Sequence, residues 1–150
     1  MKRTILATAA LTAFMLNGAL AADHQVKMLN KNAKGEEMVF EPDFISAKVG
    51  DTVTFLPTDA GHLAETMPGM LPPGAKSFMG QAGKPTVMKI DAEGIYGIKC
   101  LPHYSMGMVA LIVAGKPVNL DAVKAAIAKI PSPLPQKRFK SLLAQIPATN

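Results

Sequence analysis

Apolar and polar residues alternate in short runs through the first two thirds of the chain, and Gly, Pro and Asp separate the runs. Val53 and Phe55, for example, alternate with Thr52 and Thr54, which is the period of a strand with one buried face. Segments of this kind lie at 24–29, 38–40, 44–48, 51–56, 64–66, 86–90, 94–99 and 109–113. Many short strands at this spacing predict an all-β sandwich that extends to about residue 116.

The apolar pattern changes to a helical period after residue 119. Two helices are predicted, over 120–130 and 135–146, and the Pro131-Ser132-Pro133 break separates them. Their apolar faces consist of Leu120, Val123, Ala126, Ile127 and Ile130, and of Phe139, Leu142, Leu143 and Ile146. We expect both faces to pack on the sandwich, with Asn119 as the N-cap of the first helix.

The first 21 residues have the pattern of a cleaved signal peptide. Lys2 and Arg3 precede an apolar run over 5–16, and Ala19-Leu20-Ala21 supplies a small-residue cleavage site before Ala22 or Asp23. The run is short for a membrane span, and no later segment approaches spanning length. We therefore expect one soluble domain, residues 22–150, in a bacterial periplasm.

The charge of the chain excludes some partners. Its formal net charge is +5, and this includes Lys2 and Arg3 of the predicted signal peptide. Only Arg138 remains as an arginine after that segment, and the chain has no Trp, so nucleic-acid binding is not expected. Dispersed lysines suit weak steering towards an acidic partner, although an ordinary soluble surface would explain them equally well.

The chemistry of the chain is concentrated around its single cysteine. Cys100, His103 and Met108 lie on one short stretch between two predicted strands. A lone cysteine is ordinarily a buried, inert thiol, but a thiolate, an imidazole and a thioether so close together favour a soft metal. With a second imidazole, this set is the type 1 copper site of electron-transfer proteins.

The second imidazole and the choice of methionine need separate arguments. A lone loop histidine is usually a surface residue, yet His62 follows a strong strand and supplies the missing nitrogen. His24 competes with it, but lies close to the predicted mature terminus. Met108 adjoins the outgoing strand and is predicted as the ligand, whereas Met106 is predicted as exposed apolar surface.

Five segments closely resemble the pseudoazurins, a family of periplasmic cupredoxins. They are Val-Lys-Met-Leu-Asn-Lys near the start, Met-Val-Phe-Glu-Pro at 38–42, Gly-Asp-Thr-Val-Thr-Phe-Leu-Pro-Thr-Asp at 50–59, Gly-Ile-Tyr-Gly-Ile-Lys-Cys at 94–100 and Pro-His-Tyr-Ser-Met-Gly-Met at 102–108. The resemblance implies a Greek-key cupredoxin sandwich with two C-terminal helices. It places the copper ligands at His62, Cys100, His103 and Met108. It also implies a monomeric one-electron carrier that commonly serves copper nitrite reductase.

The resemblance further implies a docking face for redox partners. Its apolar centre would comprise His103 with Met38, Pro57, Pro102 and Met106, and its charged rim Lys31, Lys99 and Lys76. A small apolar patch with a charged rim suits brief electron-transfer complexes. Tyr96 resembles the tyrosine corner of Greek-key sandwiches, which is a structural role.

Two residues depart from the family pattern. Leu63 and Leu101 stand where the family usually has Asn and Thr, whose side chains tie the two ligand loops together. We predict that the site still forms but is drier, with an altered reduction potential.

Two other functions are weighed against electron transport. A periplasmic copper carrier or chaperone would use the same soft ligands, but would expose them for exchange. A copper enzyme needs an open coordination position and acid–base groups beside it. Only His24 would remain for that role, and cysteine-based nucleophilic catalysis lacks an orienting third residue. The carrier interpretation is therefore favoured.

Overall fold

The computed structural model describes residues 20–148, so all but the end of the predicted signal peptide lies outside the described residues. Eight strands form, and all eight predicted segments are confirmed with small changes at their ends. They are β1 (Asp23–Lys31), β2 (Glu37–Glu41), β3 (Phe44–Ala47), β4 (Thr52–Leu56), β5 (Ala64–Thr66), β6 (Thr86–Lys89), β7 (Gly94–Cys100) and β8 (Val109–Ala114).

The strands form two mixed four-stranded sheets, which confirms the predicted sandwich. One sheet has the order β2-β1-β4-β6 and the other β3-β8-β7-β5. β1 runs parallel to β4, and β3 runs parallel to β8, while the remaining pairs are antiparallel. β1, β4 and β7 therefore bring their carboxyl ends to one end of the sandwich, where the predicted ligands lie.

β8 shows how the two layers of the core arise from one sequence. Its six residues, Val-Ala-Leu-Ile-Val-Ala, are all buried. Ala110 and Ile112 face the sandwich interior, while Leu111 and Val113 join a second apolar cluster beneath the helices. A strand buried on both faces has a continuous apolar run instead of an alternating one.

Two C-terminal helices pack on the outer face of β7 and β8, as predicted, with shorter bounds. α1 spans Leu120–Ala128 and α2 spans Pro133–Leu143. α1 ends early because its last turn tightens, with the Lys129 and Ile130 amides bonding three residues back. α2 begins two residues early, since proline is favourable in a first turn. The buried residues of these helices are Val123 and Ile127 in α1, and Pro135, Phe139 and Leu142 in α2.

Asn119 occupies the N-cap position of α1, as predicted, but its side chain makes no capping hydrogen bond to the helix. Its Oδ1 accepts from the Ile95 amide at 2.7 Å, and its Nδ2 donates to the Ile95 carbonyl at 2.9 Å. The side chain therefore completes the hydrogen bonding of β7 and fastens the start of α1 to it.

The tyrosine corner is present at the end of the sandwich away from the ligands. The Tyr96 hydroxyl donates to the Ala92 carbonyl at 2.7 Å and accepts from the Ala92 amide at 2.9 Å. Tyr96 is fully buried, so these bonds satisfy its polar atom inside the core. Within residues 20–148, no helix has the length and apolar character that crossing a bilayer requires.

Candidate metal centre

Two loops at one end of the sandwich carry the predicted ligands, the first between β4 and β5 and the second between β7 and β8. His62 lies between β4 and β5, and Cys100 is the last residue of β7. His103 follows in the loop after Cys100 and precedes a 3₁₀ helix over Tyr104–Met106, whereas Met108 directly precedes β8. Because β5, β7 and β8 are neighbours in one sheet, their hydrogen-bonded ladders hold these loops side by side.

The side chains of His62, Cys100 and His103 converge on one point. The two Nδ1 atoms lie 3.0 Å apart, and the Cys100 Sγ lies 3.7 Å from each of them. A point in the plane of this triangle is about 2.0 Å from all three atoms, close to ordinary metal–nitrogen and metal–sulfur bond lengths. The donor set, two imidazoles and one thiolate, fits copper.

Asn30 determines which nitrogen of His62 is available as a ligand. The Asn30 Oδ1 lies 3.0 Å from His62 Nε2, and an amide oxygen only accepts, so Nε2 carries the proton. The neutral ring then keeps its lone pair on Nδ1, which faces Cys100. Burial, with a smaller contribution from His103, lowers the pKa of His62, so the ring is held in this neutral form.

The Cys100 thiol is fully buried and is a free cysteine. Burial raises the pKa of the Cys100 thiol, whereas the backbone amides of Leu63 and His103 oppose that rise by hydrogen bonding to the sulfur. A bound cation would stabilise the thiolate far more than these amides do. The surroundings are therefore those of a ligand, since a reactive cysteine is usually more exposed.

Met108 and Met106 differ in burial, as expected for one ligand and one surface residue. Met108 is fully buried in the same apolar cluster as Cys100, and Met106 is 43% exposed. The Met108 amide donates to the His103 carbonyl at 3.3 Å, and its carbonyl accepts from the Cys100 amide at 2.9 Å. Backbone bonds thus hold Met108 beside the other candidates. His24 lies at the opposite end of β1 from Asn30 and is not part of this centre.

The backbone ties the two ligand loops together. The Leu101 amide donates to the Leu63 carbonyl at 2.9 Å. Leu63 is partly buried, but Leu101 is 49% exposed, so its side chain does not seal the site. The drier site expected from these two leucines therefore depends on Leu63 alone.

Arg138 of α2 was not recognised from the sequence as part of this region. Its guanidinium donates to the carbonyls of Gly107 and Met38 at 2.8 Å, and to that of Glu37 at 3.0 Å. These bonds fasten the segment before Met108 to β2, and Met38 itself has a left-handed backbone with φ of 49°. No sequence pattern near Cys100 indicates this contact, since Arg138 lies 31 positions from its nearest bonded partner.

Exposed apolar residues flank His103 along its loop. Leu101, Pro102 and Met106 are exposed, and His103, Met38 and Pro57 are partly exposed. Leu101 is an addition to the predicted patch. Leu101 and Met106 are its two most exposed large apolar side chains.

The predicted lysine rim needs correction at two positions. The Lys99 side chain is only 19% exposed, and its Nζ lies 2.7 Å from the Glu65 carboxylate, so its charge is paired. The Lys76 amide bonds Asp91, in the turn before β7, roughly 20 Å along that strand from Cys100. Lys31 remains 61% exposed at the carboxyl end of β1, where it lies 3.9 Å from the exposed Glu37.

Comparison with known proteins agrees with this geometry. Residues 26–115 match the family described as "Copper binding proteins, plastocyanin/azurin family". A putative pseudoazurin of Rhizobium leguminosarum bv. viciae is 49% identical over 143 residues, which are 95% of this chain and 91% of the relative. The pseudoazurin of Methylorubrum extorquens is 49% identical over 129 residues, 85% of this chain and 84% of the relative.

Solved structures extend the agreement to the fold. The refined crystal structure of pseudoazurin from Methylobacterium extorquens AM1 superposes with a TM-score of 0.76 at 48% identity, covering 83% of this chain and 99% of that one. Native pseudoazurin from Hyphomicrobium denitrificans gives a TM-score of 0.76 at 41% identity, covering 84% and 99%. The chain therefore belongs to the plastocyanin/azurin family of copper-binding proteins, and within it to the pseudoazurins, which are electron carriers with copper as cofactor and not enzymes.

Proposed function

We propose that this chain is a periplasmic one-electron carrier that holds one copper ion with His62, Cys100, His103 and Met108. The observation that carries the assignment is the triangle of two Nδ1 atoms and one Sγ, with edges of 3.0 and 3.7 Å. Copper, when bound, supplies the change between Cu(II) and Cu(I). The protein supplies a donor set that suits both states, because it combines nitrogen with sulfur.

The chain keeps this donor set rigid. Cys100 and Met108 adjoin β7 and β8 and bond each other through the backbone, so their side chains move little relative to one another. His62 is fixed by the side chain of Asn30. The backbone amide of Asn30 in turn donates to Asp59 Oδ2 at 2.7 Å. Little rearrangement between the two states favours rapid electron transfer.

Electrons would enter and leave through His103. Its Nδ1 faces Cys100 and His62, and the residue is partly exposed in the same loop as the exposed Leu101, Pro102 and Met106. Such a patch can exclude water from a short-lived complex with a redox partner. The partner proposed from the family resemblance is an acidic reductase of the copper nitrite reductase kind, which would dock to a monomer of this chain.

The visible absorption spectrum of the mature protein with Cu(II) tests the ligand assignment. We expect an intense thiolate-to-copper band that disappears in Cys100→Ser and changes in Met108→Leu. Met106→Leu is the matched control and should leave the band unchanged. A pale band that survives Cys100→Ser would contradict the carrier function and would favour the alternative, a copper carrier or chaperone with exchangeable metal.

Stopped-flow electron transfer to a copper nitrite reductase tests the docking face. Lys31→Glu should lower the bimolecular rate constant and weaken its dependence on salt. Lys76→Glu makes the same charge change at the far end of the molecule and serves as the control. Equal effects of the two variants would mean that only net charge steers association, and docking at His103 would lose its support.

A further inference from the structure

His24 is left unexplained by the copper centre described above. It lies near the start of β1, and its Nε2 is 2.9 Å from Asp51 Oδ2. The other oxygen of the same carboxylate, Oδ1, accepts from the backbone nitrogen of Ala22 at 2.9 Å. One carboxylate thus holds both the Ala22 nitrogen and the His24 ring at the beginning of the sandwich.

Export changes the chemistry of the Ala22 nitrogen, and this step rests on the proposed function. Signal cleavage after Ala19-Leu20-Ala21 would leave a chain that begins Ala22-Asp23-His24. The Ala22 nitrogen would then be a free amine. An amine followed by two peptide nitrogens and a histidine in third place can wrap four nitrogens around one metal ion.

The hydrogen bond to Asp51 selects the nitrogen of His24 that such a chelate needs. A carboxylate accepts hydrogen bonds and does not donate them, so Nε2 carries the proton. The neutral ring then has its lone pair on Nδ1, the nitrogen nearer the backbone, which can close a ring with the peptide nitrogen of His24 itself. A carboxylate behind a ligating histidine is the usual arrangement at protein metal sites.

We propose that the processed chain binds a second Cu(II) ion through the Ala22 amine, the backbone nitrogens of Asp23 and His24, and His24 Nδ1. Four nitrogens in a plane are the geometry that Cu(II) and Ni(II) prefer, and Cu(II) forms the stronger complex. The two peptide nitrogens bind as anions, so metal uptake releases their protons and weakens as pH falls.

Metal binding at this site would disrupt part of the pairing between β1 and β4. Asp23 and His24 pair with Thr52 and Val53 of β4, so metal binding must open the first rungs of this parallel ladder. The rungs lie at the end of the strand, where opening is least costly. The His24 side chain is 28% exposed and therefore accessible from solvent.

The second site is independent of the first. Asn30, which contacts His62, lies six residues further along β1, or roughly 20 Å away. The charged groups beside His24 are Asp51, which bonds its ring, and Asp23, which is held by Thr52 and Thr54. Copper at this site would have no sulfur ligand, so it should be pale and spectroscopically separable from the thiolate band.

The test is a Cu(II) titration of the chain recovered from the periplasm, with its N-terminus determined by mass spectrometry. We expect a chain that begins at Ala22 and binds two copper ions, one blue and one pale. His24→Gln should lose only the pale ion, and Cys100→Ser only the blue one. A variant with one glycine added before Ala22 keeps every side chain and should also lose the pale ion, because histidine then stands in fourth place.

Three results would overturn the second site: a chain that begins elsewhere than Ala22, retention of one copper ion only, or a pale ion that survives both His24→Gln and the added glycine. The last would be adventitious copper. A wild-type chain that binds the pale ion but shows no blue band would instead contradict the proposed carrier function. A Ni(II) titration of the same variants reports on the pale site without a thiolate band from copper.

Discussion

The two ends of the sandwich treat their polar atoms in opposite ways. At the end with Tyr96 and Asp51, polar side chains are saturated with donors: the Asp51 carboxylate accepts from Ala22, Lys48 and His24. At the other end, the Nδ1 atoms of His62 and His103 face each other at 3.0 Å, with the Cys100 sulfur beside them. At the first end the chain satisfies its own polar atoms, so copper bound there must displace existing hydrogen bonds. The second end brings lone pairs together and leaves room for a cation between them.

The difference shows how a metal site can be distinguished from a structural polar cluster. In a structural cluster, each acceptor has its own donor, as Tyr96 and Asn119 illustrate. In the ligand cluster, Asn30 bonds the His62 nitrogen that faces away from the centre, so the lone pair of Nδ1 stays free for a metal. Burial without such an arrangement would leave polar groups unsatisfied, which is costly.

Arg138→Ala should have the largest effect on stability, at the ligand end. It removes three donors from the carbonyls of Glu37, Met38 and Gly107, and we expect a loss of about 2–3 kcal/mol in the free energy of unfolding. The reduction potential should also shift, since Gly107 adjoins Met108. Chemical denaturation and voltammetry measure the two effects. Lys137→Ala, on the exposed side of α2, is the control, and an equal loss there would contradict the role given to Arg138.

Asp51→Asn should have the next largest effect, and a pH-dependent one, at the saturated end. Hydrogen bonds, first from His24 and then from the Ala22 and Lys48 amides, lower the pKa of Asp51 to about 2. The ionised carboxylate thus stabilises the fold above the unfolded pKa of about 4, and this contribution is lost as pH falls towards 2.

Denaturation of copper-free wild type and Asp51→Asn between pH 2 and pH 7 would measure this contribution without interference from metal loss. The gap in stability between the two proteins should be widest near neutrality and should close in acid. A gap that stayed constant would mean that the charge of Asp51 is unimportant.

Tyr96→Phe should cost about 1 kcal/mol, because it removes the hydroxyl that bonds both backbone groups of Ala92 and leaves the ring in place. The copper spectrum should be unchanged, since Tyr96 lies four residues before Cys100 in β7 and its hydroxyl bonds Ala92, before the strand begins. Thermal unfolding and absorption spectroscopy on one sample would check both statements. A colourless variant would show that the two ends are coupled.

Leu63→Asn combined with Leu101→Thr should have the smallest effect on stability, because the loops are already tied by the Leu101 amide and the Leu63 carbonyl. The reduction potential should change, since a polar group replaces a partly buried apolar one beside Cys100. Each single variant would show which leucine matters, and we expect Leu63 to dominate. An unchanged potential and spectrum in the double variant would refute the influence of the two residues.

The parts of the fold that follow from local pattern were predictable from the sequence. Alternating apolar and polar residues indicate a strand such as β4, and a continuous apolar run indicates β8. The candidate ligands could be grouped because three of the four lie within nine positions. The exact ends of α1 and α2 were less predictable, since fraying and proline in the first turn decide them.

Interactions between distant segments could not be predicted. Arg138 bonds a carbonyl 100 positions away, and no local pattern marks that approach. The family resemblance implies a docking rim with Lys99 and Lys76, but sequence does not show that Lys99 is paired with Glu65 or that Lys76 lies near Asp91. Asn119 has the residue type of a helix cap, yet its side chain bonds the backbone amide and carbonyl of Ile95 in β7 instead.

The backbone tie between Leu63 and Leu101 has an evolutionary consequence. A bond between a main-chain amide and a main-chain carbonyl survives almost any change of side chain, so neither position is committed to a polar residue. Both positions adjoin a proposed copper ligand, at His62 and at Cys100. Natural selection can therefore vary them by single mutations, and a lineage could adjust its electron carrier to a new partner without passing through an unfolded intermediate.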